Sequence, residues 1–284
     1  MKKNIETFIG CDASYDEARV VIFGAPFDST TSYRPGARFG SSAIRHESYG
    51  LETYSPYLDR DLEDMAVFDS GDLELPMGSS AMALDAISER TREILSDGKI
   101  PLMLGGEHLV TLGAFREVAK RYPDVHIIHL DAHADLRNDY LGVELSHACV
   151  LRRCHDIIGD GRIHQYGIRS GERAEWLFAR EGHTSLHPFD ITPLSAMTQP
   201  LTEAPVYLTV DLDVLDPSLF PGTGTPEAGG VTFNELREAL YRVCSLHNVV
   251  GVDINELAPT LDISGVSTAV ACKVVRETLL SLMS

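Results

Sequence analysis

Short runs of Val, Ile and Leu bounded by Gly, Asp or Pro recur along this chain, separated by longer segments of helical period. That alternation leaves little choice of fold. Strands joined through crossover helices pair in parallel, and a parallel sheet needs helices on both faces, which is why its strands read as continuous apolar runs. Strand candidates are 19–24, 65–69, 100–105, 125–131, 162–168, 206–212 and 249–254; helix candidates are 80–96, 109–121, 144–158, 171–181, 232–246 and 266–282. Thr232 followed by Glu235 has the spacing of a capping box. The expectation is one three-layer α/β/α domain with a mostly parallel central sheet over residues 1–284, its longest irregular stretches at 26–45 and 213–230.

Bulk properties narrow the function. With 284 residues and 44% hydrophobic content the chain can bury a large core, and no composition break divides it. A net charge of -18 argues against nucleic acid or an anionic membrane as partner and suits a cationic substrate or bound metal ions. The N-terminus lacks an apolar h-region and no stretch of about 18 apolar residues occurs, so a soluble cytoplasmic protein is expected. Five scattered cysteines without a C-x-x-C pair suggest buried small hydrophobes rather than disulfides or a thiolate zinc site.

Four strand candidates end in polar sequences: Gly105-Gly106-Glu107-His108, Asp131-Ala132-His133-Ala134-Asp135, Asp211-Leu212-Asp213 and Asn255-Glu256. In an extended segment residues i, i+2 and i+4 share a face, so Asp131, His133 and Asp135 converge on one small volume. Ligands of open α/β sheets bind beyond the carboxyl ends of the strands, where all four sets can meet. Taken singly, each motif reads as a turn or helix cap. Together, Asp131, Asp135, Asp211 and Asp213 would concentrate negative charge that burial makes prohibitive unless cations neutralise it, and two divalent ions would balance four carboxylates. Carboxylates with His108 and His133, and no thiolate, favour Mn²⁺. Two such ions roughly 3.5 Å apart can share a hydroxide and aim it at an electrophilic carbon. The glycines of GTGTPEAGG lack the G-K-[ST] of a phosphate loop, so nucleotide binding there is rejected. His126 and His129 read as buried, hydrogen-bonded core histidines, and His46, His155, His164, His183, His187 and His247 carry no motif.

The motifs GGEH, DAHAD and VDLDVLDPSLFPGTGTPEAGG, in that order and spacing, resemble the ureohydrolase family of arginases and agmatinases, and the likeness runs from residues 32–45 to 255–259. It implies an arginase-like fold and cleavage of a guanidino carbon to release urea. Carried over by position, it implies one Mn²⁺ on His108, Asp131, Asp135 and Asp211 and a second on His133, Asp131, Asp211 and Asp213, with Asp131 and Asp211 bridging. Asp135 would also accept a hydrogen bond from the bridging hydroxide. His147 matches the histidine that passes a proton to the leaving amine, Glu256 the carboxylate that pairs with the guanidinium, and Thr225 a loop hydroxyl beside it. Read without the resemblance, His147 would be a surface helix-opening residue and Glu256 a solvated end charge. The resemblance further implies a homotrimer or homohexamer.

After DAHAD, arginases carry a Ser-Gly-Asn run that binds the amino-acid end of arginine; this chain has LRNDYLGVELSHA instead. The segment is similar to agmatinases, whose substrate ends in a plain ammonium, so agmatine giving urea and putrescine for polyamine biosynthesis is the expectation. Asp139, Tyr140 and Glu144 could receive that ammonium. Arg137 could instead receive a carboxylate, which would favour 4-guanidinobutyrate or another guanidino acid. Arginine, N-formiminoglutamate and a non-catalytic metal-binding subunit are the further alternatives. A one-metal zinc deacetylase is disfavoured because both His108 and Asp213 are present.

Overall fold

The computed structural model describes residues 1–2, 4–194, 201, 203–246 and 248–283; His247, given no role above, lies outside them. Its strands are β1 (Val20–Gly24), β2 (Tyr54–Ser55), β3 (Arg60–Asp61), β4 (Val67–Asp72), β5 (Ile100–Leu104), β6 (His126–Leu130), β7 (Ile163–Ile168), β8 (Ser185–Pro188), β9 (Pro205–Asp211) and β10 (Asn248–Asn255). The helices are α1 (Gly40–Ser48), α2 (Ser80–Ser96), α3 (Val110–Arg121), α4 (Val150–Ile158), α5 (Arg173–Arg180), α6 (Phe233–Leu246) and α7 (Val266–Leu282). Eight strands form one sheet in the order β4-β1-β5-β10-β9-β6-β7-β8. Every neighbouring pair in it is parallel.

Two apolar cores lie on the two faces. One face carries Ile128, Leu130, Leu208 and Val210 against Ile44 of α1, Leu236 and Leu240 of α6 and Val275 and Leu279 of α7. The other carries Ile127, Met103 and Tyr207 against Leu84 and Ile87 of α2, Val110 and Phe115 of α3 and Leu151 and Cys154 of α4. The three-layer expectation is met. All five cysteines are buried and free. Among the described residues no helix is long and apolar enough to cross a membrane.

The capping box at α6 forms as its spacing suggests: the Glu235 amide donates to Thr232 Oγ1 at 3.3 Å and the Thr232 amide to Glu235 Oε2 at 2.7 Å. Several elements differ from expectation, among them the strand expected at 65–69, which runs Val67–Asp72. Part of 26–45 is not irregular, because Ala37–Phe39 is a 3-10 turn leading into α1. Helix α1 buries Ser41, Arg45 and Ser48 as well as Ile44, so its inward face carries no apolar period to read. Arg45 is only 2% exposed and is neutralised by Asp69, 2.8 Å away, and by Asp72. Edge strand β8 and the β2–β3 ladder leave no apolar run in the sequence because both are short and only partly buried. The helix expected at 144–158 is a 3-10 turn, His147–Cys149, followed by α4.

What positions the site is the strand order. The four strands with polar ends, β5, β10, β9 and β6, are adjacent at the centre of the sheet. Their register aligns Leu104 with Ile254, Asn255 with Asp211 and Val210 with Leu130, so all four ends emerge at one level. Gly105 and Gly106 let β5 end in close contact: a Cβ on Gly106 would lie 2.0 Å from the Phe27 carbonyl oxygen and one on Gly105 1.8 Å from Asn255 Oδ1.

Candidate metal centre

His108, Asp131, Asp135, Asp211 and Asp213 are almost wholly buried at the carboxyl edge of the sheet. His133 is partly exposed above them. His108 Nδ1 lies 3.0 Å from Asp131 Oδ2, 3.1 Å from Asp135 Oδ2 and 3.5 Å from Asp211 Oδ2. Yet this nitrogen, fully buried, makes no hydrogen bond. His133 Nδ1 lies 3.0 Å from Asp213 Oδ2 and 3.5 Å from Asp131 Oδ1. Two donor clusters therefore meet at Asp131, whose two oxygens face different histidines. Asp211 reaches the first cluster through Oδ2, while its Oδ1 accepts the Asp213 amide at 2.9 Å and so ties it to the second.

Electrostatics asks for cations here. Burial pushes Asp211 well above the usual carboxylate range, and Asp213, Asp131 and Glu256 add to the rise. Burial likewise raises Asp213, partly offset by His133. Burial works to raise Asp131 too, but His129, His108 and His133 outweigh it and hold it well below the usual range. A set of oxygen donors with two imidazoles, buried, mutually repelling and surrounding an orphaned ring nitrogen, fits a pair of divalent ions.

The tautomer of His108 can be read from its far side. Thr209 Oγ1 lies 2.8 Å from His108 Nε2 and donates its one proton to Asp253 Oδ1 at 2.6 Å. The hydroxyl must then accept from His108, which puts the ring proton on Nε2 and leaves the Nδ1 lone pair facing the carboxylates. A parallel line supports Asp131. Thr184 Oγ1 donates to Gln165 Oε1 at 3.0 Å, the Gln165 amide donates to Ala134 O at 2.8 Å and lies 3.1 Å from His129 Nδ1, and His129 Nε2 lies 2.8 Å from Asp131 Oδ2. His129 is thus the buried, hydrogen-bonded histidine expected, but it also orients a metal-site carboxylate. His126 differs, being only half-buried and stacked on His164.

Thr209, Asp253 and Gln165 are single polar residues inside apolar strands and carry no motif, and Thr184, just before β8, carries none either. Backbone strain was equally invisible. Asp135 has φ 54 and Glu256 φ 68, a left-handed conformation that non-glycine residues hold at a cost of order 1 kcal/mol or more and that clusters at functional sites. Asp135 is pinned there by α4, whose Leu151 amide donates to its carbonyl at 3.0 Å.

A cavity of about 290 Å³ opens above the carboxylates, with His133, Asp135, His147 and Thr225 on its wall. Thr225 Oγ1 is 3.5 Å from Asp213 Oδ2. The His147 amide donates to Thr30 Oγ1 at 3.0 Å, and its Nε2 lies 3.1 Å from Ser32 Oγ. Burial lowers the His147 imidazole below its ordinary value, opposed by Asp135. Thr30 is itself clamped by Glu107, which accepts its hydroxyl at 2.6 Å and which burial pushes up to about 7. Glu256 is 4% exposed, accepts the His108 amide on Oε1 at 2.7 Å and lies beneath this wall rather than on it. Burial, then Glu107, raises it well above the usual carboxylate range.

The expected receiver of a distal ammonium is only partly in place. Tyr140 lines the cavity. Asp139 does not: it is exposed and accepts the Gly142 amide at 2.9 Å. Glu144 is also exposed and faces Arg153 at 3.4 Å. The loop after Asp135 turns both outward, and their place on the wall is taken by Glu172 and Glu175, which arrive from the N-terminus of α5. Arg137, which could have bound a substrate carboxylate, is neutralised by Glu172 at 2.8 Å and lies over the Tyr140 ring.

Comparison with known proteins agrees with this geometry. Residues 18–281 match the sequence profile of the Arginase family. An agmatinase from Bacillus anthracis is 48% identical over 97% of this chain and 96% of its own length. An N(1)-aminopropylagmatine ureohydrolase from Thermococcus kodakarensis is 39% identical over 86% of this chain and 84% of its own. The crystal structure of a putative agmatinase from Clostridium difficile superimposes with a TM-score of 0.93 at 49% identity, covering 95% of this chain and 99% of that one.

Proposed function

The chain belongs to the arginase family and is a ureohydrolase, and from that premise we propose that it hydrolyses agmatine to urea and putrescine with two Mn²⁺ ions. His108, Asp131, Asp135 and Asp211 would hold one ion and His133, Asp131, Asp211 and Asp213 the other. When bound, such a pair lowers the pKa of water and supplies a hydroxide nucleophile at neutral pH.

The remaining chemistry belongs to the chain's own side chains. The guanidinium enters past Thr225, whose hydroxyl accepts one of its N–H groups. Glu256, buried behind the wall with Oε1 fixed on the His108 amide, would meet the planar cation through Oε2 once the guanidinium has passed below the cavity lining, and favours its charged form. His147 delivers a proton to the departing amine from Nε2, the atom now beside Ser32 Oγ. The Glu107 and Thr30 clamp fixes the His147 backbone that carries that ring.

The observation that carries agmatine over a guanidino acid is the charge on the cavity wall. Glu172 and Glu175 both line that wall and share the single guanidinium of Arg137, at 2.8 and 3.7 Å, so the outer wall keeps an excess of carboxylate, with Glu172 58% exposed. An ammonium is received; a carboxylate is repelled. The same reading carries a cytoplasmic homotrimer or homohexamer, which sedimentation of the purified protein would check. Urea release by the Mn²⁺-loaded protein with agmatine, arginine, 4-guanidinobutyrate and N-formiminoglutamate side by side tests the substrate. Agmatine should give the highest kcat/KM. A higher value for any other compound would overturn the assignment, and no turnover of all four would overturn the activity.

A further inference from the structure

Helices α4 and α5 present their N-terminal ends to the cavity, one after His147 and the other with Glu172. Their far ends carry a second cluster of donors. His155 lies on the last turn of α4, Asp160 in the connection that follows, and His183 between α5 and β8. His155 Nε2 and His183 Nδ1 each lie 2.7 Å from the same oxygen, Asp160 Oδ1. One phenyl ring fixes both imidazoles: Phe178 meets His155 edge-on at 4.9 Å and stacks on His183 at 4.3 Å. Exposure rises from 14% at His155 through 33% at His183 to 63% at Asp160, so the point of convergence opens to water on the carboxylate side.

We propose that His155, Asp160 and His183 bind one borderline divalent transition-metal ion of the zinc or nickel class. Two imidazoles and one carboxylate suit these ions better than Mn²⁺, Mg²⁺ or Ca²⁺, which favour oxygen. The three donor atoms lie within 4.8 Å of one another, close to the span of about 4.2 Å available across an ion with bonds of about 2.1 Å. The ion takes the position between the nitrogens that Asp160 Oδ1 now fills, and the carboxylate withdraws to become the third ligand. The carboxylate is free to move because the Asp160 side chain is 63% exposed and sits between Gly159 and Gly161, both at positive φ. Water completes the coordination.

The surroundings also set the strength. Glu181 Oε2 lies 3.9 Å from His183 Nε2, on the side away from the donors, where a carboxylate favours the Nε2–H tautomer and frees Nδ1 to ligate. His155 Nδ1, in contrast, is buried without a partner. It lacks the outer hydrogen bond that strengthens a ligating imidazole, so micromolar rather than nanomolar affinity is expected. The ion would staple the far ends of the two helices that frame the cavity.

Equilibrium dialysis of the Mn²⁺-loaded holoprotein against micromolar zinc, with elemental analysis, tests this. The wild type is compared with H183N and D160N, two partly exposed positions whose replacement leaves the core intact. Exchange of zinc into the central site occurs equally in all three proteins, so the difference between them counts the second site. The wild type should retain one zinc equivalent more than H183N, D160N should bind that equivalent roughly tenfold more weakly, and zinc at a hundredfold excess over its Kd should raise the wild-type unfolding midpoint by roughly 5 °C over that of H183N. Both variants should still release urea from agmatine as the wild type does. Equal zinc content in wild type and H183N, or a difference appearing only at millimolar zinc, would overturn the site and reduce Asp160 to a structural clasp between two histidines. Because dialysis needs no turnover, either result is independent of the substrate assignment.

Discussion

Replacing Thr209 with valine keeps the shape of a fully buried strand residue and deletes one hydroxyl. Three contacts are lost together: the acceptor 2.8 Å from His108 Nε2, the donor 2.6 Å from Asp253 Oδ1 and a longer contact, 3.4 Å, with Thr111 Oγ1. Asp253 keeps the hydroxyl of Tyr207 at 2.5 Å and the Asn255 amide at 2.6 Å, so its carboxylate stays satisfied. The uncompensated group is the buried Nε2–H of His108, whose acceptor was the deleted hydroxyl. Its desolvation costs about 1–3 kcal/mol of stability. In the metal-loaded protein the same loss frees the ring to rotate and lowers its basicity, for which removal of an outer partner typically costs about 10–100-fold in affinity, or about 1.4–2.8 kcal/mol. Mn²⁺ titration followed by the paramagnetic resonance of the free ion, beside urea denaturation of the metal-free protein, measures both. The control is T278V, another fully buried threonine, whose hydroxyl donates to the Val274 carbonyl in α7, far from the site. T209V and T278V should both lose stability, and only T209V should lose manganese. Mn²⁺ affinity within twofold of wild type in T209V would refute the tautomer argument and leave Thr209 an ordinary core residue.

Other outcomes follow from particular contacts. E172Q should raise the agmatine KM roughly fivefold, the size of a partly solvated ion pair of about 1 kcal/mol, with little change in kcat, whereas D139N and E144Q should leave KM within twofold; the reverse pattern in steady-state kinetics would return the ammonium to the loop after Asp135. In G106A the new Cβ would stand 2.0 Å from the Phe27 carbonyl oxygen and 2.7 Å from its nitrogen, neither of which can yield, so soluble protein should carry little manganese; wild-type metal content by elemental analysis would contradict this. Burial, with His126 and His187, depresses His164 to about 4. The unfolded chain therefore takes up a proton there that the folded one refuses, and stability present above pH 6.5 drains away as pH falls from 6.5 toward 4. Between pH 7.5 and pH 5 the wild type should lose about 2 kcal/mol more than H164Q in urea denaturation, and equal losses would refute it.

The chemistry was more legible in the sequence than the substrate, for a physical reason. Asp131, His133 and Asp135 converge through the two-residue period of an extended backbone, a local rule that needs no knowledge of the fold. The apolar runs before each motif likewise specify buried parallel strands. The arrival of four polar segments at strand ends then leaves a crevice at the carboxyl edge as their meeting place. The capping box at Thr232 and the fate of the cysteines depend on equally local chemistry.

Tertiary structure decided which strands are neighbours and which side chains support the ligands. Strands β9 and β10, late in the chain, are inserted between β5 and β6, and only that order brings Thr209 to His108. Gln165 reaches His129 through the pairing of β6 with β7. Loop direction is equally non-local: Asp139 and Glu144 followed the metal motif closely enough to suggest a substrate site, yet the chain turns them to solvent. Glu172, 28 residues beyond Glu144, comes back to the wall because α5 starts there. A charge beside a motif in sequence is constrained only by its own backbone; a charge beside it in space is fixed by the packing of every element between.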